Sequence, residues 1–208
     1  MIFTPQQASP ALGARLFQSR GGAAAPVWWN PDGATPAGVC VGAYQAKAAA
    51  SYAASKVNLP TPGVNDLIEG NGAVPWGAGA GWGFVLAANQ YFDTGIVVAA
   101  STWSVLAQFS AIVGANGAIF GALAGANRYL IQPNAGGSVR YFNGGGAIRV
   151  VVPAHLTGNL GMGGKQGYRD GLPDGAALPA GGATPAINTY LCALNNGGAA
   201  AFYMTVSA

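Results

Sequence analysis

The chain predicts an all-β fold, an antiparallel β-sandwich, and three observations lead there. From Gly158 to the C-terminus one device recurs: a short apolar strand, a Gly/Asn/Asp turn, then another strand. Lys165-Gln166-Gly167-Tyr168-Arg169-Asp170-Gly171 is followed further on by Thr189-Tyr190-Leu191-Cys192-Ala193-Leu194-Asn195-Asn196-Gly197-Gly198. Asp-Gly and Asn-Gly steps supply the positive φ angles that tight hairpins need. Composition agrees, because 34 Gly and 13 Pro fall in a chain that is only 7% charged, and the glycines separate apolar strands instead of keeping a fixed short period. That pattern describes a turn-rich fold and argues against collagen or a disordered linker. A length of 208 residues suits one sandwich with an ample core.

Taken in order, residues 1–36 read as an extended N-terminal arm and residues 37–208 as the sandwich. The arm holds Pro5, Pro10, Pro26, Pro31 and Pro36, and proline lacks the N–H that a ladder requires. Residues 12–20 suit one or two helical turns. Trp28-Trp29 is a large apolar anchor that either plugs one end of the sandwich or offers a platform for stacking on sugars. Residues 45–56 form the one good helix candidate, alanine-rich and free of Gly and Pro before Pro60. Pro60-Thr61-Pro62-Gly63 and Pro75-Trp76-Gly77-Ala78-Gly79-Ala80-Gly81 are loops, the second suited to lining a groove. Strands are expected near residues 83–86, 90–92, 102–110, 118–123, 127–132, 138–142, 147–152, 167–169, 189–194 and 200–206.

No charged residue falls between Asp93 and Arg128, and a hydropathy window would flag residues 96–114 as a membrane span. Ser101-Thr102 and Gly114-Ala115-Asn116-Gly117 interrupt the segment, and Trp103, Val105, Ala107 and Phe109 alternate with Ser104, Leu106 and Gln108. Two buried strands around an Asn-Gly turn fit better. Met-Ile-Phe-Thr-Pro-Gln-Gln carries no basic segment followed by an apolar one, so no secretory signal is expected, and the protein is expected to be made in the cytoplasm and either incorporated there or exported by another route such as lysis.

The aromatic before Asp-Gly, and the later apolar strand that ends in Ala-Leu-Asn, resemble the laminin-G or concanavalin-A-like jelly-roll domains of bacteriophage and prophage tail and fibre proteins. Residues 44–59, and Trp82-Gly83-Phe84 leading into Gln90-Tyr91-Phe92-Asp93-Thr94-Gly95, are similar too, so the resemblance covers residues 40–208. It implies a jelly roll with one short helix, exposed on the surface of a virion. It also implies a further strand or short helix beyond residues 200–206, which this sequence does not carry. That departure leaves open whether a partner chain completes the sheet.

The nine basic residues, Arg15, Arg20, Lys47, Lys56, Arg128, Arg140, Arg149, Lys165 and Arg169, are scattered singly. Net charge +3 without a clustered patch argues against nucleic-acid binding. So little charge also suggests that much of the surface is covered in an assembly. The carboxylates are Asp32, Asp66, Glu69, Asp93, Asp170 and Asp174, and no Glu-x-Asp-x-x-Glu strand of a jelly-roll glucanase is among them. Asp66 and Glu69 read as a solvated turn or helix cap, Asp170 and Asp174 as turn residues. His155 is the only histidine, which excludes a multi-histidine or Cys-His zinc site within one chain, and it has no Gly-x-Ser-x-Gly partner. Lectin-like sandwiches hold Ca²⁺ with one or two Asp side chains and backbone carbonyls; Asp93, Asp170 and Asp174 are the candidate ligands. Gly161-Met162-Gly163-Gly164-Lys165-Gln166 fails as a phosphate loop on spacing and on Gln166, and reads as a hairpin turn. Cys40 and Cys192 would pair if the first and last strands lay side by side; otherwise they are two small buried thiols.

Two functional readings remain. One is a non-enzymatic structural or adhesive component of a phage-like particle, a capsid decoration, tail or fibre, whose arm docks on neighbouring subunits in a homo-oligomer. The other is a free carbohydrate-binding module that recognises a cell-surface glycan. In it Trp76, Trp82, Tyr141 and Tyr168 stack on sugar rings and Asn143, Asn195 and Asn196 bond their hydroxyls.

Overall fold

The computed structural model describes residues 2–5, 27–29, 40–146, 148–179, 181–201, 203 and 205–207. In chain order the first strands are β1 (Ile2–Pro5), β2 (Gly42–Ala43), β3 (Ile68–Gly70), β4 (Trp76–Gly77), β5 (Gly81–Phe84), β6 (Tyr91–Val97) and β7 (Trp103–Phe109). They continue with β8 (Ala111–Val113), β9 (Phe120–Ala124), β10 (Asn127–Gln132), β11 (Val139–Asn143), β12 (Ile148–Val151) and β13 (Gly158–Gly163). The last are β14 (Gln166–Arg169), β15 (Leu172–Pro173), β16 (Asn188–Leu191), β17 (Leu194–Asn196), β18 (Ala199–Ala201) and β19 (Thr205–Ser207). Among the described residues one short α-helix, α1 (Tyr52–Ser55), lies between β2 and β3.

The six-stranded sheet runs β15-β14-β13-β7-β1-β2, the nine-stranded sheet runs β12-β11-β10-β9-β16-β6-β3 with β17 and β18 attached at β9, and β4-β5-β19-β8 form a four-stranded sheet. Among the described residues pairing is antiparallel except for the short parallel contact of β17 with β9. Alternation explains the layering. Val105, Ala107 and Phe109 of β7 and Leu160 and Met162 of β13 turn inward to meet Phe92, Ile96, Phe120, Tyr129, Ile131, Val139 and Leu191 of the larger sheet in one core. Burying each such large apolar side chain contributes about 1.5–3 kcal/mol. Ala118, Leu130, Phe142 and Leu194 form a second, smaller cluster.

The turns follow the residues. Asp170 and Gly171 have φ of 49° and 83° and join Arg169 to Leu172 across a two-residue hairpin. Gly197 and Gly198 do the same between Asn196 and Ala199. Gly164-Lys165 closes the β13–β14 hairpin, as expected of that glycine-rich stretch. Gly167 is glycine for space: a Cβ there would stand 2.8 Å from the ring of Tyr141.

Several expectations change: the strand expected at residues 189–194 breaks at Cys192, whose φ is 60°, into β16 and β17, and the loop expected at residues 75–81 carries β4. The helix of residues 45–56 shrinks to α1, because Ala48 takes a φ of 63° and donates its N–H to the Ala78 carbonyl at 2.6 Å; Ser51 then caps the single turn that remains. The strand expected at residues 200–206 divides between β18, which pairs with β17, and β19, which lies between β5 and β8. Within the expected N-terminal arm, residues 2–5 are a strand of the chain's own six-stranded sheet, between β7 and β2. The helical turns expected at residues 12–20 lie outside the described residues. Among the described residues, no helix is long and apolar enough to cross a membrane.

Candidate functional site

Burial decides most of the candidate residues. Trp82 lies in the core, edge-on to Phe84 and Phe92, and its Nε1 donates to Ser55 Oγ at 2.8 Å. Tyr141 is buried, and its hydroxyl donates to Asp174 Oδ2 at 2.7 Å. Asn143 is buried and donates to the Gly164 carbonyl. Asn195 donates to the Asn188 carbonyl and accepts from the Gly198 N–H, closing its own hairpin. These four therefore face the interior, which corrects the expectation that they contact sugar. Trp76, Tyr168 and Asn196 keep some exposure, but they stand on β4, β14 and β17, in three different sheets. The structure does not bring the set together.

The aspartates are likewise engaged separately. Asp93 accepts from the Gly95 N–H at 2.8 Å on β6. Asp170 accepts from the Asn159 N–H at 2.8 Å and stands 3.4 Å from His155 Nε2. Asp174 takes Tyr141 and, at 3.1 Å, Arg169. Among the described residues no three His, Cys, Asp or Glu side chains cluster as a metal site, so the calcium ligands expected from the sequence are not assembled as one group. Asp66 is a turn acceptor, taking the N–H groups of Asn58 and Gly63. Glu69 instead sits in β3 and pairs with Lys56, whose hydrogen bond holds the carboxyl below its usual range.

Tyr141, Asp174 and Arg169 form a buried polar knot that ties β11 to the β14–β15 hairpin. Burial, then the Asp174 carboxylate, push the Tyr141 hydroxyl far above its ordinary range, so it stays a neutral donor. Asp174→Ala removes the carboxylate acceptor from both groups, leaving the Tyr141 hydroxyl the Tyr168 carbonyl at 3.2 Å and Arg169 the Pro153 carbonyl at 2.9 Å, and is expected to cost about 1–3 kcal/mol by urea unfolding. An unchanged midpoint would show the knot to be dispensable.

A cavity of about 730 Å³ opens between the segment carrying Gln45 and Lys47 and the end of β7, with Trp82, Phe84, Ile119, Leu191 and Cys192 among its lining. Trp28 also lines it, with Trp29 edge-on at 5.5 Å. Its titratable groups are Tyr44, Lys47 and Cys192. Burial raises both the Tyr44 hydroxyl and the Cys192 thiol, which keeps them protonated and suits the cavity to contact with apolar groups. Cys40 and Cys192 are buried and are not joined in a disulfide.

The sheet edges are the more unusual surface. Edge strands usually carry charge or proline against unwanted pairing. β15 carries Pro173 and β3 carries Glu69, yet Ile148 and Val150 of β12 are 36% and 50% exposed and Val152 just beyond is 75% exposed, while Ile68 of β3, Val113 of β8 and Leu172 of β15 are 66%, 64% and 71% exposed. Each of these strands is terminal in its sheet. The one charged residue of β12, Arg149, is occupied by the Ala177 carbonyl. Sequence reasoning missed these positions as a group, because an edge is a property of strand order. No family model matches the chain, and neither the curated proteins nor the solved structures contain a match.

Proposed function

We propose that this chain is a non-enzymatic structural or adhesive component of a phage-like particle, a jelly-roll sandwich held on the particle surface through its sheet edges. The observation that carries the reading is the row of exposed apolar residues on the terminal strands of all three sheets. On a chain that is 7% charged, such edges are an aggregation hazard for a free monomer and a ready-made joint for an assembling subunit. The resemblance to phage tail and fibre domains supplies the kind of particle, with assembly in the host cytoplasm.

The test is fractionation of particles on a density gradient, with the chain followed by antibody. The reading expects the chain to band with intact particles and resist removal by salt, since apolar contacts are not screened. A chain found only in the soluble fraction would overturn it. The carbohydrate-binding alternative has no comparable support, because Trp82, Tyr141, Asn143 and Asn195 are buried.

A further inference from the structure

We propose that two copies of this chain join edge to edge through β12, antiparallel about a two-fold axis at Val150, to make one continuous sheet. This rests on the particle reading above and names the joint. On its other side β12 pairs with β11, with Tyr141 opposite Arg149 and Phe142 opposite Ile148. Its two faces differ. Val151 packs against the main core, and a Cβ on Gly175 would lie 3.1 Å from Val151 Cγ2, so the inner side is already covered. Ile148 and Val150 take the alternate positions and are exposed, as is Val152 in the bend just beyond the strand. Ile148 continues an apolar row, because Leu130 stands opposite Phe142 and Phe142 opposite Ile148, while Val150 stands opposite Arg140. Among the described residues, no backbone hydrogen bond outside the β11 ladder reaches this strand.

Charge and proline choose the register. Directly opposed residues in an antiparallel pair share a face, so a two-fold axis must pass through one residue. An axis at Arg149 would set two guanidinium groups opposite each other, which is unfavourable. An axis at Val151 would oppose Arg149 to the partner's Pro153, which has no N–H to give the ladder. With the axis at Val150, Val150 meets its own copy, Ile148 meets the partner's Val152, and Arg149 meets the partner's Val151. The row Leu130, Phe142, Ile148 then runs on across the joint. Such an interface is self-complementary, as a closed dimer requires.

Cysteine cross-linking reads the register directly. Opposed residues in antiparallel strands have Cα atoms about 4.5–5.5 Å apart, within the reach of a disulfide. Under mild oxidation Val150→Cys is expected to give a covalent dimer with itself. Ile148→Cys alone should stay uncrosslinked, and should form a mixed dimer when combined with Val152→Cys. The buried native thiols Cys40 and Cys192 make the unmodified chain the blank. A second variant, Val150→Glu, is expected to abolish the dimer in sedimentation while leaving the circular dichroism spectrum of the folded chain unchanged, since Val150 is half exposed, and to make the thermal midpoint independent of concentration. If Val150→Cys fails to cross-link while the chain still sediments as an oligomer, the β12 joint is wrong and the particle reading stands. If Ile148→Cys cross-links with itself as readily as Val150→Cys, the register is wrong. A monomer in every assay would sink both.

Discussion

Phe92→Ala is expected to lower the unfolding free energy by about 3–5 kcal/mol, the range for removing a buried aromatic ring. Phe92 is fully buried on β6, with ring centroids 5.0 Å from Trp82 and 5.1 Å from Phe84, both in edge-on geometry. Its removal loses the transfer energy of the ring and leaves a hole that neighbours anchored in the nine-stranded and four-stranded sheets cannot readily close. The control is Val97→Ala on the same strand, 41% exposed, where about 0.5 kcal/mol or less is expected. Urea unfolding at unchanged slope measures both. Equal losses at the two positions would mean that this aromatic cluster does not anchor the sandwich.

The second large effect is alkaline unfolding. Burial pushes the Tyr52 and Tyr190 hydroxyls up to about 12, and moves Tyr44, Tyr129 and Tyr141 further in the same direction. Tyr203 is raised as well, again chiefly by burial. In the unfolded chain a tyrosine titrates near about 10. Because the folded values are raised, the stabilisation these groups contribute is complete below that pH. It is lost as pH climbs toward and through the folded values. Stability is therefore expected to fall steadily above about pH 10, with tyrosinate absorbance appearing together with loss of structure. Tyrosines that ionise at their ordinary pH in a protein that stays folded would contradict the burial described for them.

What was legible in the sequence was local. Asp170-Gly171 and Gly197-Gly198 form the expected turns because positive φ is a property of those residues. The alternation of Val105, Ala107 and Phe109 with Leu106 and Gln108 places β7 correctly, with the first three buried. Where tertiary contacts override local preference, the residues mislead. The alanines of residues 45–50 have high helix propensity, yet the Ala48 N–H is claimed by Ala78. Gly158–Gly163 has too little side-chain pattern to announce a strand, and becomes β13 through its ladder with β7. Asn58 gave no signal either: it is fully buried, accepts from Ala43 and donates to the Val41 and Val64 carbonyls.

The candidate site was less legible for a related reason. An aromatic or amide on a strand does not reveal which face it occupies, and Trp82, Tyr141, Asn143 and Asn195 turned out to face inward. Of the strand expected at residues 147–152, Ile148–Val151 is β12, but its place at the end of a nine-stranded sheet depends on β9, β10, β11 and β16 being laid down beside it.

Light scattering of the purified chain across a wide concentration range tests the central claim most directly. Assembly through exposed edges predicts a defined oligomer whose mass is reached at low concentration and holds in high salt. A monomer that persists at every concentration would contradict it.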